Sequence, residues 1–191
     1  ARRVLHGVAV GGVEHLRERH ADDALDLAWV DHPDRRGLAP PPAPDRPPAI
    51  VFVDLSGFTA LTRERGDESA VIAASSLQRE ADAAATRHGG RLIKLLGDGA
   101  MLRLADAAVG VSAALELVET MSGEGIVASH AGVHAGPVIE RDLDVFGQTV
   151  NLASRIADAA GPGEVLASQA VAEAAGDGGF AFERLREADL K

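Results

Sequence analysis

The sequence contains no cysteine, which excludes disulfides and Cys-ligated zinc and fits a reducing compartment such as the cytoplasm. Aromatic residues make up only 3% of it, so alanine, valine and leucine must fill the core. No apolar run approaches the roughly 20 residues of a membrane-spanning helix, and the N-terminus has no signal-peptide pattern. Positive charge is scarce as well, with 19 Lys and Arg against 29 Asp and Glu and a net charge of −10. That balance argues against a general electrostatic grip on nucleic acid or anionic membrane. An anionic substrate would need a local cation, either a metal ion or a Lys or Arg. With 46% hydrophobic and 25% charged residues, the chain has a globular composition, and at 191 residues it can bury a core. It starts at Ala1 rather than Met and reads as an excerpt of something longer.

Proline marks the one clear boundary. Seven of the nine prolines lie within residues 33–48, which predicts an extended linker. Residues 1–32 before it read as two short helices, or as the tail of an upstream regulatory domain. Beyond it, the apolar β-branched run at 49–53 predicts a buried strand. Helices are expected over 59–65 and 67–88, strands over 91–96 and 100–104, and a helix over 106–121. A strand within 126–138, a helix over 147–160, a strand over 164–167, a helix over 168–175 and a strand over 180–185 complete the chain. This order predicts an α+β fold with nested βαβ units. The sheet would be ferredoxin-like or palm-like, mostly antiparallel, with helices packed on it.

Several side chains ask for a chemical explanation. Asp54 ends the first strand of residues 49–191 and is followed by Ser56-Gly57 and a helix start. Such a carboxylate can ligate a hard cation, while the amides of Gly57, Phe58 and Thr59 can face phosphate oxygens. The ordinary alternative is an Asp that caps the next helix. Asp98 sits in a Gly97-Asp98-Gly99 turn, which alone would be an unremarked hairpin. Paired with Asp54, it suits magnesium ions that bridge phosphates. No Walker-type Gly-x-x-x-x-Gly-Lys-Ser/Thr is present, so phosphates are not held by a P-loop. Lys94 interrupts an otherwise apolar strand, where an outward-facing position is the plain explanation. Asn151 and Arg155 are four residues apart and so share one helical face. His130 and His134 would lie about 13 Å apart on a strand, too far to chelate one ion.

Three motifs then occur in order: Phe52-Val-Asp-Leu-Ser-Gly-Phe-Thr59, Lys94-Leu-Leu-Gly-Asp98, and Asp144-Val-Phe-Gly-Gln-Thr-Val-Asn151-Leu-Ala-Ser-Arg155. Over residues 49–191 they resemble the catalytic domain of class III nucleotidyl (adenylate/guanylate) cyclases, most like a bacterial adenylate cyclase. The resemblance implies conversion of ATP to cyclic AMP and pyrophosphate with two Mg2+ (or Mn2+) ions. Asp54, Asp98 and the Leu55 carbonyl match the metal ligands, Arg155 the arginine on the α-phosphate, and Asn151 the residue that orients the ribose. Lys94 and Asp144 match the base-reading positions, and a donor beside an acceptor complements adenine rather than guanine. Lys191 matches a lysine on the triphosphate, and Arg141 is the candidate for a further phosphate-binding cation. The resemblance also implies a homodimer, in which one subunit's metal aspartates face its partner's Lys94, Asp144, Asn151 and Arg155. Family members continue into a final strand where this chain stops at Leu190-Lys191. A catalytically silent nucleotide-binding domain of the same fold is the alternative from another class. A polymerase-like palm enzyme would have no use for the third motif.

Overall fold

Strand β2 (Ala49–Leu55) lies in the middle of a five-stranded sheet, as its short run of β-branched and aromatic residues predicts. The computed structural model describes residues 3–8, 46–123, 127–176 and 180–185. β2 pairs antiparallel with β4 (Gly99–Leu104) on one side and β5 (Ser129–Ala135) on the other. Beyond β4 lies β3 (Arg91–Leu95), antiparallel to it, and beyond β5 lies β8 (Val165–Ala167), parallel to it. The order β3-β4-β2-β5-β8 therefore embeds the ferredoxin-like arrangement, with β4 between the parallel strands β2 and β3.

Alternation along β2 divides the core in two. Ala49, Val51, Val53 and Leu55 meet α1 (Phe58–Arg87), α2 (Ala107–Gly123) and α4 (Gln169–Ala175) in the larger cluster. Ile50 and Phe52 face the other way, with Met101, Ala153 and Val145, under α3 (Gln148–Asp158). Asp54 follows on that second face by the same period of two.

The expected break between 65 and 67 is a kink at Gly66, with φ 82° and ψ 169°, inside one long helix α1. Its end follows the Gly89-Gly90 signal: Gly90 N–H bonds to Ala85 O and Gly89 N–H to Thr86 O, a Schellman closure. The strand expected over 126–138 is shorter. Gly136-Pro137 ends it, and a separate hairpin of β6 (Ile139–Arg141) and β7 (Asp144–Phe146) follows. Its two turn residues, Asp142 and Leu143, both adopt positive φ, 52° and 67°.

One expectation fails in the described part. Arg3–Val8, read from its sequence as helical, is instead a strand, β1, parallel to β9 (Phe180–Leu185). Val4, Gly7 and Val8 weaken a local helix, and the backbone of β9 supplies a ladder of six register pairs. The remainder of residues 1–32 and most of the linker lie outside the described residues, as does Lys191.

Candidate active site

The two carboxylates meet at one end of β2 and β4. Gly97, with φ 73°, opens a two-residue turn closed by paired hydrogen bonds between Leu96 and Gly99, and this turn carries Asp98. The Asp98 carbonyl accepts from Leu55 N–H at 3.2 Å, so the turn is fastened beside Asp54. Asp54 lies opposite Gly99 across the strands, and a Cβ there would stand 2.8 Å from Asp54 Oδ1. Glycine therefore clears space for the carboxylate. Burial raises the pKa of Asp54 above its ordinary value, and the neighbouring Asp98 charge raises it further. His130 and the Leu55 N–H oppose this, and Asp158 adds a small upward push.

Behind Asp54 the chain turns through Ser56, whose hydroxyl lies 2.9 Å from His130 Nδ1, into Gly57 with φ 77°. Gly57 has no side chain to cap α1, so the first amides of the helix, at Phe58 and Thr59, keep their capacity for an anion.

Lys94 reaches this face through a bulge. Leu92 pairs with Leu102 but Lys94 with Met101, so an extra residue, Ile93, is accommodated in β3. Regular alternation would have turned Lys94 towards α1 and α2 together with Leu92; the bulge turns it to the Met101 and Asp54 face instead. There Lys94 Nζ donates to Asp144 Oδ2 at 2.8 Å and lies 5.6 Å from the centroid of the Phe146 ring. The hydrogen bond from Lys94, then that from Val145 N–H, holds the Asp144 carboxyl below its ordinary value.

Helix α3 bears Asn151 and Arg155. It lies close against β5 because Gly132 has no Cβ; one there would stand 2.1 Å from Ala157 N and 2.6 Å from Ala153 O. Asn151 is exposed and Arg155 half-buried, and among the described residues Arg155 has no hydrogen-bond or ion-pair partner. Arg141 is exposed beside Asp142 at the hairpin tip. His130 and His134 are held separately by Ser56 and Ser168, in keeping with packing rather than chelation. Sequence reasoning missed Phe146, Asp158 and the Ser56–His130 bond. Each depends on pairing between distant elements and leaves no local spacing to read.

Residues 44–191 match the family described as the adenylate and guanylate cyclase catalytic domain. The chain belongs to this family. Among its relatives, an adenylate cyclase of Streptomyces coelicolor is 43% identical over 131 residues, covering 68% of this chain and 34% of the relative. One of Streptomyces griseus is 37% identical over 146 residues, 76% of this chain and 34% of that protein. The chain thus spans about a third of the length of these curated relatives. Among solved structures, the adenylyl cyclase CyaB from P. aeruginosa superposes with a TM-score of 0.58 at 25% identity, covering 66% of this chain and 78% of that one. The guanylyl cyclase Cya2 gives 0.56 at 27%, covering 69% and 79%. Both base preferences occur on this class III cyclase fold, so the fold does not choose between adenine and guanine.

Among the described residues no group of three or more His, Asp or Glu side chains forms a metal cage. Magnesium on a nucleotide does not need one, because one or two carboxylates suffice when phosphates supply the remaining oxygens. The donor set fits that chemistry: two neighbouring carboxylates, the charge of Asp98 raising the pKa of Asp54, suit hard cations. No helix among the described residues is long and apolar enough to cross a membrane.

Proposed function

We propose that this class III cyclase domain is an adenylate cyclase, converting ATP to 3′,5′-cyclic AMP and pyrophosphate at two equivalent sites shared across a homodimer. The observation that carries this reading is the Lys94–Asp144 pair at 2.8 Å. An ammonium donor held beside a carboxylate acceptor complements adenine, whose N1 accepts and whose 6-amino group donates. Guanine reverses both, and would leave polar groups unpaired in the site.

Asp54, Asp98 and the Leu55 carbonyl would hold two Mg2+ or Mn2+ ions. Bound there, the ions would supply acidification of the ribose 3′-hydroxyl and neutralisation of the leaving pyrophosphate. The chain's own residues do the rest by positioning. Asn151 orients the ribose so that the 3′-oxygen is in line with the α-phosphorus. Arg155, a cation without a hydrogen-bond or ion-pair partner among the described residues, stabilises charge on the α-phosphate as the bond to pyrophosphate breaks. The amides of Gly57, Phe58 and Thr59, at the entry to α1, receive phosphate oxygens, and Lys191 adds a cation to the triphosphate.

The shared arrangement is supported by the independence of the two clusters within one chain. Among the described residues no hydrogen bond or ion pair joins Asp54 or Asp98 to Lys94, Asp144, Asn151 or Arg155. The exposed apolar residues Ile139, Leu143 and Phe146 on the hairpin suit contact with a second copy. ATP as substrate would put the domain in the cytoplasm, and residues 33–48 would be a linker to the preceding segment, of which Arg3–Val8 pairs with β9. The test is product identity from ATP and from GTP, each with Mg2+ or Mn2+. Cyclic AMP from ATP, with little cyclic product from GTP, is expected. Cyclic GMP as the main product would overturn the base assignment, and no cyclic product from either would leave the catalytically silent alternative.

A further inference from the structure

The hairpin β6–β7 that carries Asp144 shares no backbone ladder with the five-stranded sheet. Side chains must therefore locate it. Val145, 1% exposed, enters the apolar cluster of Ile50, Met101 and Ala153. Asp144 holds Lys94, and Glu140 reaches two arginines of the sheet. Glu140 Oε1 lies 2.8 Å from Arg103 Nε, and Oε2 lies 3.5 Å from an Arg91 terminal nitrogen. The approach to Arg103 is out of line for a hydrogen bond, so it acts through charge.

Arg91 and Arg103 stand directly opposite each other across β3 and β4. Like charges so placed repel, and Glu140 is the carboxylate paired with each among the described residues. In the hairpin register Glu140 faces Val145, the neighbour of Asp144. Fixing Glu140 against the two arginines therefore fixes β7 over the end of β3 where Lys94 projects. The Lys94–Asp144 pair cannot do this alone, because Lys94 is a long side chain that follows its acceptor. A carboxylate that selects one base over another must itself be held in place.

We infer that the Glu140 bridge to Arg91 and Arg103 positions Asp144, and Lys94 with it, for base selection. Glu140 is then a positioning residue for nucleotide specificity. This rests on the reading of Lys94 and Asp144 as the base-reading pair.

The test measures equilibrium binding of 3′-deoxy-ATP and 3′-deoxy-GTP with Mg2+ to the whole chain. Both probes lack the hydroxyl that cyclises, so binding is read without turnover. In Glu140→Gln the preference for the adenine nucleotide should fall about tenfold. In Arg91→Gln, which leaves the Arg103 contact, it should fall less, by about threefold. If Glu140→Gln does not fold, Arg91→Gln carries the test alone. An equal loss for both nucleotides, an unchanged preference, or a wild-type chain without preference overturns the inference. Turnover of ATP is measured separately. Discrimination that Glu140→Gln erodes, in a chain that makes no cyclic product, leaves the positioning role standing and removes the cyclase reading.

Discussion

Lys94 and Asp144, 50 residues apart in the chain, form a 2.8 Å hydrogen-bonded ion pair with the lysine over the Phe146 ring. The two groups proposed to read the base already satisfy each other, so a bound base must exchange with this pair. Asp144→Ala leaves Lys94 without its acceptor and the site without an acceptor for the 6-amino group. The ratio of kcat/KM for ATP to that for GTP should then fall on the order of 100-fold. Steady-state kinetics with both nucleotides checks this; an unchanged ratio removes Asp144 from base reading.

Gly132 sets how closely α3 approaches the sheet. In Gly132→Ala the new methyl would meet backbone atoms of Ala153 and Ala157, which cannot rotate away. A destabilisation of about 3 kcal/mol is expected from such overpacking. Denaturant unfolding measures it, and turnover should fall with it because Asn151 and Arg155 ride on α3.

The burial and like-charge crowding that raise the Asp54 pKa also make its ionised form a cost to the folded state. A raised folded pKa means that stability declines as pH rises through it. Asp54→Asn should therefore raise the unfolding midpoint of the metal-free protein at pH 7 by a few degrees while abolishing turnover. The gain should vanish below the ordinary aspartate value of 3.8, where wild type is protonated in both states. Thermal unfolding at pH 7 and pH 3 tests both signs.

Glu116 on α2 behaves in the opposite sense. Burial would raise its pKa, but hydrogen bonds from His88 and Arg87 at the end of α1 outweigh this and lower it. A lowered folded pKa gives stability that is present above the ordinary value of 4.5 and lost as pH falls through the folded value. Glu116→Gln should cost roughly 0.5–1 kcal/mol at pH 7, since Arg87 is half-exposed, and next to nothing once wild type is protonated. Urea titrations at both pH values read the difference directly.

Much of this was legible in the sequence because the chemistry sits in short local motifs. Asp54 at a strand end and Asp98 in a glycine turn needed only the rules for buried strands and hairpins. The two pieces of α1 around Gly66 were readable for the same reason. Lys94 was conspicuous, but its direction was not, because a bulge at Ile93 reverses the face that alternation assigns. The β6–β7 hairpin was hidden because two non-glycine residues, Asp142 and Leu143, take positive φ at its turn. β1 was misread because a strand paired with residues about 177 positions away has no signature in local helix propensity. The Glu140 bridge and the Ser56–His130 bond are likewise products of strand register.

The most direct measurement is cyclic AMP formation by Asp54→Ala and Arg155→Ala chains, assayed singly and then mixed. Each alone should be inactive, having lost a metal ligand or the transition-state cation in every site. Mixing should restore about a quarter of wild-type activity, because half of the dimers are mixed and each mixed dimer has one intact site. Activity that rises faster than linearly with wild-type protein concentration should accompany it. Inactive single variants that stay inactive on mixing, beside an active wild type already linear at low concentration, would contradict a site shared between two copies.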